Sequence, residues 1–165
     1  MAAPNVPLNI PTRKSKSLIQ HFGCQVAPFY KISVVAPEGA PVQIKSGATD
    51  EVELVTAGSA PSGTVLGLLA QEVYDASVLG ELSGYDFHNT TKARTGDTVG
   101  VLTGQGWVLT KNYTGAVANA DSIYPAASGK LSATQTGSDE RIAVSEGAGT
   151  DGDTLVRMRV DFKIV

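Results

Sequence analysis

The chain has 165 residues, with 13 Lys and Arg against 16 Asp and Glu and a formal net charge of -3. A length of this order fits one domain with a proper core; the single cysteine, Cys24, excludes an internal disulfide framework, and no apolar stretch reaches the length of a membrane span. Aromatics make up only 6%, and 18 glycines stand beside 8 prolines, so the core is expected from Val, Leu, Ile and Ala in short elements divided by turns.

The leading stretch "MAAPNVPLNIPTRKSK" places its basic residues after the apolar ones with no apolar region following, which is not the order of a secretory signal. A soluble protein made without export is therefore expected. Charge is distributed unevenly. Residues 1–37 hold Arg13, Lys14, Lys16 and Lys31 and no acidic residue, whereas the remainder holds nine basic and sixteen acidic residues. An acidic body of this kind repels nucleic acid, and the stacking aromatics of a nucleic-acid platform are missing.

Residues 1–37 read as an extended arm, with Pro4, Pro7 and Pro11 denying the first part a regular ladder. The apolar residues Leu18, Ile19, Phe22, Phe29 and Tyr30 within it need burial, either on the chain's own body or on a partner. From Pro41 the rhythm becomes β. Val42 and Ile44 alternate with polar residues in "PVQIKSG", and Val52 and Leu54 do so in "EVELVT". The run "GTVLGLLAQEVYD" fits a strand near residues 64–74, followed by a loop or short helix to about residue 92.

In "GDTVGVLTGQGWVLTKNYTGAV", residues 98–102 and 107–111 are expected to form the arms of a hairpin closed by a glycine-bearing turn. "ADSIYPAASGKLSA" partly echoes that unit, and "ERIAVSEG" supplies another short strand around Ile142 and Val144. The clearest element is the last. Val156, Met158, Val160, Phe162 and Ile164 alternate with Arg157, Arg159, Asp161 and Lys163, the pattern of a half-buried antiparallel strand. The fold class expected is mainly β: a small single-domain β-barrel or sandwich of short antiparallel strands, body 38–165, with an extended N-terminal arm.

Chemistry-bearing residues do not assemble into a motif. His21 and Cys24 lie three apart, but zinc needs about four ligands and His88 stands alone. A cysteine nucleophile needs an orienting group that no local motif supplies. Asp151 and Asp153 in "GAGTDGDT" lack the spacing and terminal glutamate of a calcium loop, so a plain turn is expected. "TGQGWV" lacks the third glycine of a dinucleotide fingerprint, and Glu72, Asp75, Asp97 and Asp121 are scattered through separate turns. No enzymatic activity and no cofactor or metal is expected.

From about Ala40 onward, the ordered series "GTVLGLLAQEVYD", "TGDTVGVLTGQGWVLTKNYTGAV", "ADSIYPAASGKLSA" and "GDTLVRMRV" resembles the capsid decoration, or cement, proteins of tailed bacteriophages. Ala120-Asp121 departs from the Gly-Asp more typical there. The resemblance implies a non-enzymatic virion protein with a small β-barrel body, often trimeric. It would sit outside the head where capsomers meet, bind the major capsid protein and hold the shell against packaged DNA. It implies no contact with nucleic acid or membrane, and synthesis in the host cytoplasm. The arm residues Arg13, Lys14, Lys16, Leu18, Phe22, Phe29 and Tyr30 are the expected partner contacts, because extended arms bind by strand addition with apolar anchors. The alternative is a β-module of a head or tail fibre that recognises a receptor or glycan through Trp107 and Tyr113, although Trp107 is expected to fill the core.

Overall fold

A computed structural model describes residues 20–75 and 92–162. In chain order the strands are β1 (Gln20–Phe22), β2 (Gln25–Ile32), β3 (Pro41–Ile44), β4 (Glu51–Leu54), β5 (Gly67–Leu69), β6 (Glu72–Tyr74), β7 (Lys92–Arg94) and β8 (Thr98–Thr103). They continue as β9 (Gln105–Thr110), β10 (Ala116–Val117), β11 (Ser122–Ala126), β12 (Lys130–Ser132), β13 (Ala143–Ser145), β14 (Gly149–Thr150) and β15 (Val156–Asp161). One 3-10 turn, Ala127–Gly129, is the helical element among the described residues.

Five strands close a barrel in the order β2, β4, β3, β5, β8, and six form a sheet in the order β1, β9, β15, β13, β11, β12. The molecule is therefore mainly β with a small barrel, as the short alternating strands and their Gly-rich turns implied. Most pairs are antiparallel, but β2–β4 and β6–β7 are parallel.

The barrel and the sheet share a wall, and side-chain alternation explains how. Along β5, Leu68 enters the core beneath the six-stranded sheet while Leu69 enters the barrel interior. Along β8, Leu102 faces the sheet and Val99 and Val101 face the barrel. Leu68 pairs with Leu102 and Leu69 with Val101, so the wall is apolar on both sides. A strand buried on both faces reads as a continuous apolar run, which is why "VLGLLA" lost its period of two. The single strand expected over 64–74 is two, β5 and β6, broken at Ala70 and Gln71.

The hairpin expected from residues 98–102 and 107–111 does not form. β8 pairs with β2 and β5 in the barrel, whereas β9 pairs with β1 and β15 in the sheet. Gly104, with φ of 77°, turns the chain from one layer into the other rather than back on itself. The antiparallel partner of this bent strand is the segment 20–32. β1 runs against β9 and β2 against β8, with Gly23 at the matching bend. The register slips between Ala27 and Tyr30, where Pro28 and Phe29 face the single residue Gly100. Proline, which cannot donate to a ladder, is suited to such a bulge.

Residues 20–32, expected within the arm, are thus strands of the body, and β2 is one of the five that close the barrel. The expected division at residue 37 falls inside this unit. The echoing segment, by contrast, is a true hairpin: β11 and β12 pair antiparallel across Ala127–Gly129. The final strand behaves as its sequence dictated. Val156, Met158, Val160 and Phe162 are buried, while Arg157, Arg159 and Asp161 are exposed.

Candidate interaction surface

The outer face of the six-stranded sheet carries the densest chemistry among the described residues. In β9 the buried phase is taken by Gly106, Val108 and Thr110, which turns Gln105 and Trp107 outward. Trp107, expected in the core, is 41% exposed; Tyr113, considered as an exposed stacking ring, is 1% exposed. Both positions are opposite to expectation. Trp107 faces out because β9 has one buried phase and Val108 occupies it. Tyr113 lies beyond the end of β9 and joins the sheet core, with its hydroxyl within hydrogen-bond distance of Asp153 Oδ1 at 3.1 Å and of the Thr154 carbonyl at 3.0 Å.

Trp107 is exposed but anchored. Its indole N–H donates to Glu146 Oε2 at 3.1 Å, and the same oxygen meets Arg157 Nη2 at 2.6 Å. Burial works to raise the Glu146 pKa, but the hydrogen bonds from Trp107 and Arg157, with the charges of Arg157 and Arg159, outweigh it and hold the pKa below the ordinary glutamate value. In the ladder Trp107 stands opposite Phe22 on one side and Arg159 on the other. A cleft of about 690 Å³ opens beside this row, with Trp107, Arg141 and Arg159 on its wall and Ile142, Val160 and Phe162 among its apolar lining.

Glu140 and Asp161 line the cleft, and Asp139 lies next to Glu140 in sequence. Asp139, 1% exposed, accepts from the amides of Gly58 and Ala60 at 2.8 and 2.9 Å. Glu140 accepts from Gly63 and Val65 at 2.8 and 3.2 Å. Together they fix the 58–65 loop against the sheet from roughly eighty positions away in sequence, a distance no local motif could reveal. Asp161 Oδ1 accepts from Gln105 Nε2 at 2.9 Å.

Of the expected arm contacts, Arg13, Lys14, Lys16 and Leu18 lie outside the described residues. Phe22 and Phe29 are placed by their backbones in β1 and β2. Tyr30 is half-buried and packs on the barrel core, so its ring belongs to the body. Cys24 also packs half-buried against the sheet core, and burial, only partly opposed by a backbone hydrogen bond, pushes its thiol pKa up, away from a nucleophilic thiolate. His88 lies outside the described residues. Asp151 and Asp153 accept hydrogen bonds from their own turn and from the 113–115 strand approach: Asp151 Oδ1 takes the Gly115 amide at 2.7 Å, and Asp153 Oδ1 takes the amides of Thr150 and Thr154. That is turn chemistry, as the sequence had indicated.

The sequence contained a signal for Trp107 that went unread, since the phase set by Val108 already turned its neighbour outward. Glu146 had none, because its tie to Trp107 joins residues 39 apart. No protein-family model matches the chain, and no curated protein matches it.

Proposed function

We propose that this protein is a structural component of a tailed-bacteriophage virion, a decoration protein that binds outside the head and stabilises the shell. The observation that carries the reading is the architecture the resembling segments build. The four segments, far apart in sequence, supply β5 and β6, β8 to β10, β11 and β12, and β15, so they form strands of both the barrel and the six-stranded sheet. What supports the reading is this mainly β body with its small barrel, the architecture the resemblance implies. A body stapled by long-range carboxylate bonds and walled by a shared apolar layer has the stiffness a cement needs. Repetition over a shell gives weak single contacts their strength.

Basic residues 13–16 remain the proposed capsid contact, with the major capsid protein as partner and a homotrimer as the assembled form. The test is addition of the purified chain to heads that lack it. Saturable attachment in stoichiometric ratio to the major capsid protein, with greater resistance of the heads to heat, is the expected result. Attachment of a few copies or none overturns the reading. A chain starting at Gln20 keeps every described strand and should fold but bind weakly, whereas one starting at Glu38 loses β2 and should not fold.

A further inference from the structure

An exposed tryptophan on a sheet face is usually free to turn, yet Trp107 is held by the Glu146 carboxylate, which Arg157 holds in turn. Such a chain fixes the plane of the ring before any ligand arrives, which lowers the ordering cost of binding. The adjoining cleft of about 690 Å³ is of a size that takes a small ligand. Its polar groups differ in how far they are satisfied. Glu140 already accepts two backbone amides, and Asp161 accepts from Gln105 through one oxygen. Arg141 and Arg159 are both exposed, and neither is in an ion pair of 4.0 Å or less among the described residues. Three of the chain's five arginines, 141, 157 and 159, lie at this one place in an otherwise acidic body.

We infer that this cleft is a saccharide site, selective for a sugar carrying a carboxylate, with Trp107 as the stacking platform and Arg159 and Arg141 as the carboxylate clamp. The indole face meets the C–H face of a sugar ring. Guanidinium groups take a carboxylate in paired N–H···O bonds. The second oxygen of Asp161 and the Gln105 carbonyl accept from sugar hydroxyls, a mixed donor and acceptor rim that suits a polyhydroxylated ligand better than a phosphate-rich one. This holds whether or not the chain decorates a capsid, because it rests on the sheet face alone.

Trp107 is the only tryptophan in the chain, so its emission reports on the site without labelling. The full chain is titrated with a tetrasaccharide alternating glucuronate and N-acetylglucosamine, and in parallel with neutral chitotetraose, by fluorescence and calorimetry. The acidic sugar should give a saturable change with Kd on the order of 1 mM or tighter, and the neutral one should bind about tenfold more weakly. Arg159→Met and Arg141→Met should each erase that preference, and Trp107→Ala should abolish the heat of binding. Arg141 and Arg159 are exposed and outside any ion pair among the described residues, so unchanged circular dichroism and melting are expected of their variants. Trp107→Ala also removes the bond to Glu146 and should keep its far-ultraviolet circular dichroism but melt somewhat lower. No saturable signal from the acidic sugar up to about 10 mM overturns the site. Equal binding of both sugars overturns the clamp, as does acidic-sugar affinity that both arginine variants preserve. Binding of a glutamate-rich peptide in place of the sugar overturns the ligand class.

Discussion

The barrel and the six-stranded sheet are held together by different means although β5 and β8 wall both of their cores and a bent ribbon joins them. Inside the barrel, Ile32, Val42, Val52, Leu69, Val99 and Val101 supply aliphatic packing, and the side-chain hydrogen bonds around it, such as Ser33 and Lys45 to Glu51, lie at its rim. The sheet has an apolar core of its own, but the loops that lie against it, among them the connection from β4 to β5, are fixed by buried or half-buried polar groups: Asp139, Glu140, Tyr113 and Asn112. Loops that must lie still over a sheet need acceptors for their backbone amides, and carboxylates supply them.

The strongest way to break this contrast is to strike the wall the two regions share. Leu102→Ala removes a fully buried side chain beneath the sheet from a strand whose preceding residue, Val101, lines the barrel. A loss of about 2–5 kcal/mol is expected, as for other buried leucines. Because both cores rest on β8, calorimetry should show one transition shifted to lower temperature. Two separate transitions would mean that barrel and sheet are independent units.

Asp139→Ala sharpens the contrast from the sheet side. It leaves the amides of Gly58 and Ala60 without their acceptor, which costs about 1–3 kcal/mol when a buried group goes unsatisfied. Hydrogen exchange should quicken at Gly58 and Ala60 while the β3 and β4 amides keep their protection. Equal quickening in both places would show that the carboxylate supports the whole body rather than its loop.

Gly104 offers a smaller and cleaner test of the crossover. A Cβ there meets nothing within 4 Å, so the cost of Gly104→Ala is the positive φ alone, about 1 kcal/mol. Gly104→Asn should recover part of it, since asparagine tolerates that conformation better. A loss from alanine well beyond this value would mean that the bend itself, and not only its backbone angle, depends on glycine.

How legible each region was follows from the same physics. β15 could be read residue by residue because one of its faces is wet and the other dry, and alternation survives in such a strand. β5 could not, because both its faces are buried and its apolar run carries no phase. β2 was read as arm because its stretch is apolar without a clear period and follows Pro4, Pro7 and Pro11. The bulge at Pro28 and Phe29 opposite Gly100 is the irregularity that hides its alternation. β8 and β9 each had a legible strand pattern, yet the glycines between them fit a reversal as well as a crossover; partner choice is a long-range property that the local turn does not encode. The interaction face was half legible. Arg157, Arg159 and Asp161 were assigned to the wet side of β15 from alternation alone, while their relation to Trp107 and Glu146 needed the register between β9 and β15.

Acid titration gives the smallest effect and compares the two regions directly, since each has one glutamate with a lowered pKa. Hydrogen bonds from Lys45 and Ser33 outweigh burial at Glu51 on the barrel rim, and those from Trp107 and Arg157 do so at Glu146 on the sheet. A carboxyl whose pKa is lower folded than unfolded binds its proton more readily in the unfolded chain. Its stabilisation is therefore complete above the ordinary glutamate value and is lost as pH falls through the folded value. Glu51→Gln and Glu146→Gln should each be less stable than the parent in urea at about pH 7, with the gap closing toward about pH 3. Added salt should narrow the Glu51 gap, because its partner Lys45 is a half-exposed cation and such pairs are screened. Emission from Trp107 should shift on acidification in the parent and in Glu51→Gln, but not in Glu146→Gln, because only Glu146 touches the indole. A gap that stays constant from neutral to acid pH would show that the carboxylate charge contributes nothing, leaving hydrogen-bond geometry as the tie between that strand and its neighbours.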